Sequence, residues 1–413
     1  MSIDRLDVST PQGPAGVLAR EASGYVFAYG GHAAPQAAVS LTMPPRLQAY
    51  ERPELHPVFQ MNLPEGYLLE RLKNLLAKTS GTDPMVLLAL LGGGAPIGRV
   101  RFAAAASAGV AAPSSGAGPM PGERLTDILA YRGAGGLFDS LIDRYLTRSA
   151  LSGVQPKVLV PEASPQAPSK AAAFTSDLIV KSGLGEFPGL AINEFLCMSA
   201  AQRAGMPVPA FYLSDDRTLF VMRRFDRTEE GRAIGFEDMA VLSGKGAGLK
   251  YSGRYEDIAR LIGAFCSPEH VAPSLAQLFD IVALSCIVGN GDAHLKNFGL
   301  LYDTPEDAPV RLAPAFDIAS TTCYLPEDAL ALTLSGSKSL FASRLHLLDF
   351  ADRCRIARAR AGERLLELCD AVAGVLSEHA GLAAEVPGFE AAVRKGVDDF
   401  RVTFRQRGRG AAS

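Results

Sequence analysis

Between Cys286 and Leu301 an apolar helix end runs into Gly289-Asn290-Gly291-Asp292-Ala293-His294-Leu295-Lys296-Asn297 and then into the strand-like Phe298-Gly299-Leu300-Leu301. One short loop between two apolar elements thus carries an acid, an imidazole, an ammonium group and an amide. An Asp followed five residues later by an Asn suits phosphoryl transfer. The carboxylate can orient an attacking hydroxyl, and the amide oxygen can help hold Mg²⁺. Asp292 and Asn297 are the candidates for those tasks. The spacing alone is weak, because Asp and Asn in a polar turn more often satisfy nearby backbone groups. What strengthens it is a second acid downstream in an apolar frame, Pro314-Ala315-Phe316-Asp317-Ile318-Ala319-Ser320. Asp317 stands where a phosphoryl-transfer enzyme keeps its main metal ligand.

Such chemistry also needs a strand lysine for the phosphates and a helix acid to hold that lysine. Lys181 ends the apolar run Leu178-Ile179-Val180, and Glu194 lies in the helical stretch that follows. Taken singly, each reads as a solvated charge; their order carries the argument. Ahead of them, Ser152-Gly153-Val154-Gln155-Pro156-Lys157 precedes the strand Val158-Leu159-Val160, where a loop covering a nucleotide is expected, although its one glycine makes a poor glycine-rich motif. After a third strand, Leu219-Phe220-Val221-Met222, the segment Arg223-Arg224-Phe225-Asp226 is placed to offer backbone groups to a base.

The elements that must position these residues follow from periodicity. Short apolar stretches between Gly24 and Ser40 suggest strands. Tyr67 to Lys78 repeats leucine at helical spacing, and Asp83-Pro84 ahead of Met85 to Leu91 reads as a capped helix with proline in its first turn. Ala103 to Gly122 is almost wholly Ala, Ser, Gly and Pro, a composition that buries too little side chain to offset its ordering entropy, so a flexible boundary is expected there. Ala191 to Ala204 has helical period, and from Tyr255 onward most segments read as helices, notably Ser274 to Val288, Ile356 to Val372 and Phe389 to Gln406. The expected division is residues 1–125, 126–227 and 228–413.

Bulk properties narrow the class. With 413 residues, 48% apolar and 21% charged, the chain has the balance of a globular protein of two or three subdomains. A formal net charge of -3 argues against a chain that wraps nucleic acid through its own basic surface. The six cysteines form no CxxC pair, so neither a zinc site nor a disulfide framework is expected. Met1 to Leu6 lacks the basic start and apolar core of a signal peptide, and the expectation is a soluble cytoplasmic protein without a membrane segment.

Together these segments resemble the HipA family of bacterial Ser/Thr kinases, toxins of HipBA toxin-antitoxin modules. In the N-terminal part the resemblance rests on Phe59-Gln60-Met61-Asn62-Leu63-Pro64-Glu65-Gly66 and on Asp83 to Gly92. Further on it rests on Ser152 to Lys157, Asn193-Glu194, Arg224-Phe225-Asp226-Arg227, Glu237-Asp238-Met239, Lys250-Tyr251 and Asp292 to Asn297, all in family order. The fold implied is α+β, bilobal and protein-kinase-like, with a small N-terminal α+β subdomain and a helical C-terminal lobe. The resemblance implies that Asp292 is the catalytic base with His294 beside it, and that Asn297 and Asp317 bind Mg²⁺. Lys181, with Glu194 as partner, would contact the ATP phosphates. Ser152, Gly153, Val154, Gln155 and Lys157 would cover the nucleotide, Arg223 and Phe225 would offer backbone groups to adenine, and Asp226 would lie near the ribose.

The implied partners are a protein substrate, by analogy an aminoacyl-tRNA synthetase, and a HipB-like helix-turn-helix antitoxin through which operator DNA would be contacted. Two other readings are a non-catalytic co-repressor acting with the antitoxin and a small-molecule kinase of the same fold.

One departure concerns self-regulation. Kinases of this family can be switched off by phosphorylation of a serine just ahead of the loop glycine, and the position two residues before Ser152 is Ala150. Ser149 and Ser152 remain as acceptors, and a phosphate adds ~1.5 to 2 negative charges, enough to expel the loop from an anion-binding position. Mass spectrometry after incubation with ATP is expected to find phosphate on Ser152 or Ser149; its absence from both would end the switch idea for this protein.

Overall fold

Arg5 to Thr10 alternates exposed and buried residues, with Leu6 and Val8 inward, and this period of two marks a strand with one face on the core. In the computed structural model it pairs with Gly13–Glu21 on one side and Arg101–Ala104 on the other, Leu6 facing both Leu18 and Ala104. Gly24–Tyr29 and Tyr50–Arg52 complete the five strands. The structure describes residues 3–76, 83–92, 94–104, 122–132, 136–146, 149, 155–163, 177–183, 187–306 and 309–410, with side chains up to residue 405. The expected boundary at Ala103 to Gly122 therefore lies mostly outside the described residues. Ala103 and Ala104 close the sheet's edge strand.

The described chain forms two compact units. The first holds residues 1–182, 214–247 and 301–309, and the second holds 183–213, 248–300 and 310–413. Both mix short antiparallel strands with helices or consist mainly of helices, an α+β architecture.

In the first unit the five-stranded sheet buries Phe27 and Phe102 against Phe59, with ring centroids 5.3 and 5.8 Å apart. The capped helix Pro84–Leu91 is present, the Asp83 carboxylate accepting from the Met85 and Val86 N–H groups at 2.9 and 3.2 Å. Helix Gly66–Leu76 corresponds to the leucine repeat. A separate antiparallel group joins Lys157–Pro161, Asp177–Ser182 and Leu219–Arg223, with Lys181 opposite Lys157 on one side and Phe220 on the other.

A buried ionic cluster fastens residues 95–98 to residues 224–227 within this unit. Arg224 meets Asp226 at 2.6 Å and Asp177 at 3.4 Å, and donates to the Ala95 and Pro96 carbonyls at 3.0 and 2.7 Å. Asp226 also accepts from the Gly98 N–H at 2.7 Å and lies 3.1 Å from Arg227. Burial alone would raise the Asp226 carboxyl; the two guanidinium groups overcome it and hold the acid well below its ordinary range.

The second unit is organised on the helix Pro268–Val288. It begins at Pro268 rather than Ser274, because Ser267 precedes a proline at the first helical position, where the missing N–H is no loss. It is long and apolar enough to cross a membrane, with a window of mean hydropathy 1.9, yet 67% of that window is buried within the protein. That burial marks it as a core helix, and its Asp280 meets Arg364 of helix Arg358–Glu378 at 2.8 Å. Helices Leu340–Arg353 and Phe389–Gly410 also pack on it.

Removing one partner of a buried ion pair leaves its acids desolvated and uncompensated. Arg224→Ala is therefore expected to lower stability by about 3–5 kcal/mol. Arg124→Ala, which breaks the exposed pair with Asp127, should cost less than about 1 kcal/mol. Urea denaturation of both variants checks the contrast.

Candidate active site

The helix Pro268–Val288 stops because Gly289 adopts φ 71°, a left-handed conformation that glycine takes without strain. A side chain there would also collide with the Thr322 hydroxyl. Its carbonyl accepts from the N–H groups of Thr321 and Thr322 at 2.9 and 3.1 Å, so the helix end is fastened to a segment about thirty residues downstream. Thr321 continues the link, its hydroxyl accepting from the Gly291 N–H at 2.8 Å and bonding the Asp328 carboxylate.

From that anchor the loop holds itself. The Asp292 N–H donates to Asn290 Oδ1 at 2.9 Å, and the Asp292 carbonyl accepts from the His294 N–H at 2.7 Å and from Asn297 Nδ2 at 2.9 Å. The last bond fixes the Asn297 amide by its nitrogen and leaves its oxygen as the group available to a cation. Lys250 and Tyr255 brace the loop from outside, the Lys250 carbonyl accepting from the Leu295 N–H at 3.1 Å and the Tyr255 hydroxyl donating to the Ala293 carbonyl at 3.0 Å.

Asp292 keeps solvent contact while most of the loop is buried. Desolvation pushes its carboxyl above the ordinary range, the Tyr251 hydroxyl opposes that rise, and the negative charge of Asp317 adds to it. That last influence places the two acids within electrostatic reach. Asp317 itself has φ 60°, unusual for a residue with a side chain and typical of functional sites. The segment around it is held by Asn193, whose Oδ1 accepts from the Ser320 N–H and whose Nδ2 donates to the Ser320 carbonyl, both at 2.8 Å. His294 is buried, with no hydrogen-bond partner for Nδ1 among the described residues. Burial holds its imidazole down to about 4, so the ring is neutral at pH 7.

The fit to a divalent cation rests on the donors. Among the described residues no three His, Cys, Asp or Glu side chains gather as a metal cage. Mg²⁺ seldom uses one; it takes one or two carboxylates plus water and phosphate oxygens. An amide oxygen from Asn297 and a carboxylate from Asp317 match that partial set.

The remaining candidates belong to other segments of the chain. Lys181 is buried in its strand, 3% exposed, with Nζ 5.7 Å from the Phe220 ring centroid. Glu194, 2% exposed, belongs to helix Leu190–Arg203 of the second unit. Arg223 pairs with Glu162 at 2.6 Å, and Phe225 packs edge-on against Phe236 at 5.6 Å. The Asp226 carboxylate is taken up by the buried ionic cluster. Gln155 has a buried Nε2 with no partner among the described residues, and Lys157 lies across from Lys181. Ser152, Gly153 and Val154 lie outside the described residues, as does Ala150. Ser149 is fully buried, its hydroxyl donating to the Tyr145 carbonyl and accepting from the Leu159 N–H.

Three contributors escaped the reading of the sequence. Tyr251 and Asn193 stood only as family landmarks, and Asp328, which anchors Thr321, carried no motif at all.

This fold and loop define a family. Residues 149–376 match the model of the HipA-like C-terminal domain, and residues 6–103 match that of the HipA N-terminal domain. The chain belongs to the HipA family. Among curated proteins it is similar to the candidate kinase Y4dM of Sinorhizobium fredii, 35% identical over 205 residues, which are 46% of this chain and 47% of that relative. This match thus spans about half the length of the relative. A second candidate kinase of the same organism, Y4mE, is 27% identical over 304 residues and covers 69% of both chains. Among solved structures the fold is that of HipA from Shewanella oneidensis MR-1, determined with HipB and its operator DNA; the TM-score is 0.66, the identity 17% and the coverage 97% of each chain.

The loop leaves no space at Gly291, where an added Cβ would press into the Asp328 carboxylate and come 2.6 Å from the Ala329 carbonyl. Gly291→Ala is expected to cost about 1–3 kcal/mol of stability. Thermal denaturation, with phosphoryl transfer assayed below the transition, should reveal a displaced Asp292 as a larger loss of activity than of stability.

Proposed function

We propose that this chain is a protein kinase toxin that transfers the γ-phosphoryl group of ATP to a Ser or Thr of a cellular protein. The observation that carries this reading is the loop from Gly289 to Asn297. It presents one solvent-accessible acid, Asp292, with a backbone-oriented amide, Asn297, and a second acid, Asp317, in electrostatic reach. Asp292 is the general base: its carboxyl, lifted by desolvation toward working pH, accepts the proton of the acceptor hydroxyl as that oxygen attacks phosphorus. Asn297 and Asp317 are the cation ligands, and Lys181 is assigned to the phosphates, with Glu194 as the helix acid of the same machinery. Gln155 and Lys157, with Ser152, Gly153 and Val154, belong to the nucleotide-covering segment, and Arg223 and Phe225 to the adenine side. Bound Mg²⁺ would supply charge neutralisation at the phosphates.

The proposed acceptor is a protein hydroxyl, with an aminoacyl-tRNA synthetase as the leading candidate and arrested growth as the consequence; family membership supports this reading. The Shewanella HipA structure contains HipB and operator DNA, which supports an antitoxin partner and co-repression of the operon. The net charge of -3 favours that partner as the source of most phosphate contacts on DNA. A cytoplasmic location belongs to the same proposal.

Asp317→Ala is expected to abolish phosphoryl transfer while thermal unfolding stays near that of the wild type, and a metal chelator should do the same to the unaltered protein. Phosphoproteomics after brief expression should then reveal Ser or Thr sites that are missing with Asp317→Ala. Undiminished transfer by the variant would overturn the assignment.

A further inference from the structure

We infer that Tyr251 is a positioning residue for the catalytic base, holding one carboxylate oxygen of Asp292 so that the other faces the acceptor hydroxyl. The inference rests on the kinase reading above and extends it to a residue outside that reading.

The geometry begins with the hydroxyl. Tyr251 Oη donates to Asp292 Oδ1 at 2.7 Å, although the residue is 45% exposed. Asp292 Oδ2 has no hydrogen-bond partner among the described residues. A general base must lie within about 2.6–3.2 Å of the proton it accepts. With Oδ1 engaged, Oδ2 is the atom left for that contact.

The tyrosine is itself fixed relative to the loop. Its ring meets the His294 ring edge-on with centroids 5.1 Å apart, and Lys250 Nζ lies 5.2 Å from its centroid. The preceding peptide is joined to the loop through the Lys250 carbonyl and the Leu295 N–H. Neutral His294 packs against the ring without adding a charge beside the base. Tyr255, four residues further on at the start of the helix Tyr255–Phe265, is buried and supports the loop backbone through Ala293, so the two tyrosines divide the work. Tyr255 holds the backbone, and Tyr251 holds the reacting side chain.

A free carboxylate rotates about χ2, and each wrong orientation lowers the population of the geometry from which attack occurs. Tyr251→Phe keeps the ring and its packing on His294 and removes only the oxygen. The expected result, with purified full-length protein, ATP and Mg²⁺ and a peptide or protein acceptor, is a fall in kcat of about tenfold or more. KM for ATP and the melting temperature should stay within about twofold and two degrees of the wild type.

Equal kcat for wild type and Tyr251→Phe overturns the inference and leaves the kinase reading standing. A rise in KM for ATP with kcat unchanged also overturns it, because the tyrosine would then serve nucleotide binding. No transfer by the wild-type protein overturns the kinase reading, and the inference falls with it.

Discussion

The candidate active site depends on how one apolar helix ends. Pro268–Val288 starts in an exposed first turn and ends in eight consecutive buried residues, 281–288, and nothing in that buried end would bring an acid to solvent. The left-handed turn at Gly289, fastened through Thr321 and Thr322, redirects the chain within one residue. The following loop bonds part of its own backbone through Asn290, Asp292 and Asn297, and Thr321, Lys250 and Tyr255 satisfy more of it from outside. Only on such a rigid support can a carboxylate remain open to solvent and still point in one direction.

The two units use charge in opposite ways. In the first, Arg224, Asp226, Asp177 and Arg227 neutralise one another in the interior and join segments far apart in sequence. In the second, desolvation raises the carboxyl of Asp292, and the like charge of Asp317 adds to that rise while Tyr251 and Lys250 oppose it. Complementary charges that are fully compensated build structure. Like charges left in electrostatic reach of one another mark a place where a cation, a proton or a phosphate is to be handled.

Much of this was legible in the sequence because the spacing is covalent. The interval from Asp292 to Asn297 lies within one loop, and the left-handed stop at glycine and the capped helix after Asp83 are written in local residue types. What could not be read depends on long-range bonds. Tyr251 reaches Asp292 across 41 residues, and Asn193 clamps Ser320 across 127. A tyrosine in an exposed segment and an asparagine in a helix have no local signature for such tasks. Asp226 illustrates the converse: a residue that family order marked for the ligand has its carboxylate committed to Arg224 and Arg227, which periodicity and spacing do not disclose. Compactness also divides the chain in a way composition does not suggest, grouping residues 126–182 with the N-terminal part.

The central claim is that Asp292 is the base of a phosphoryl transfer, and it is tested most directly by single-turnover transfer of the γ-phosphoryl group of ATP. Asp292→Asn keeps the size of the side chain and an oxygen for the Tyr251 hydroxyl while removing the basic function. The account predicts ATP binding close to that of the wild type with a transfer rate lower by about 10²–10⁴-fold. Transfer at the wild-type rate by Asp292→Asn would contradict it.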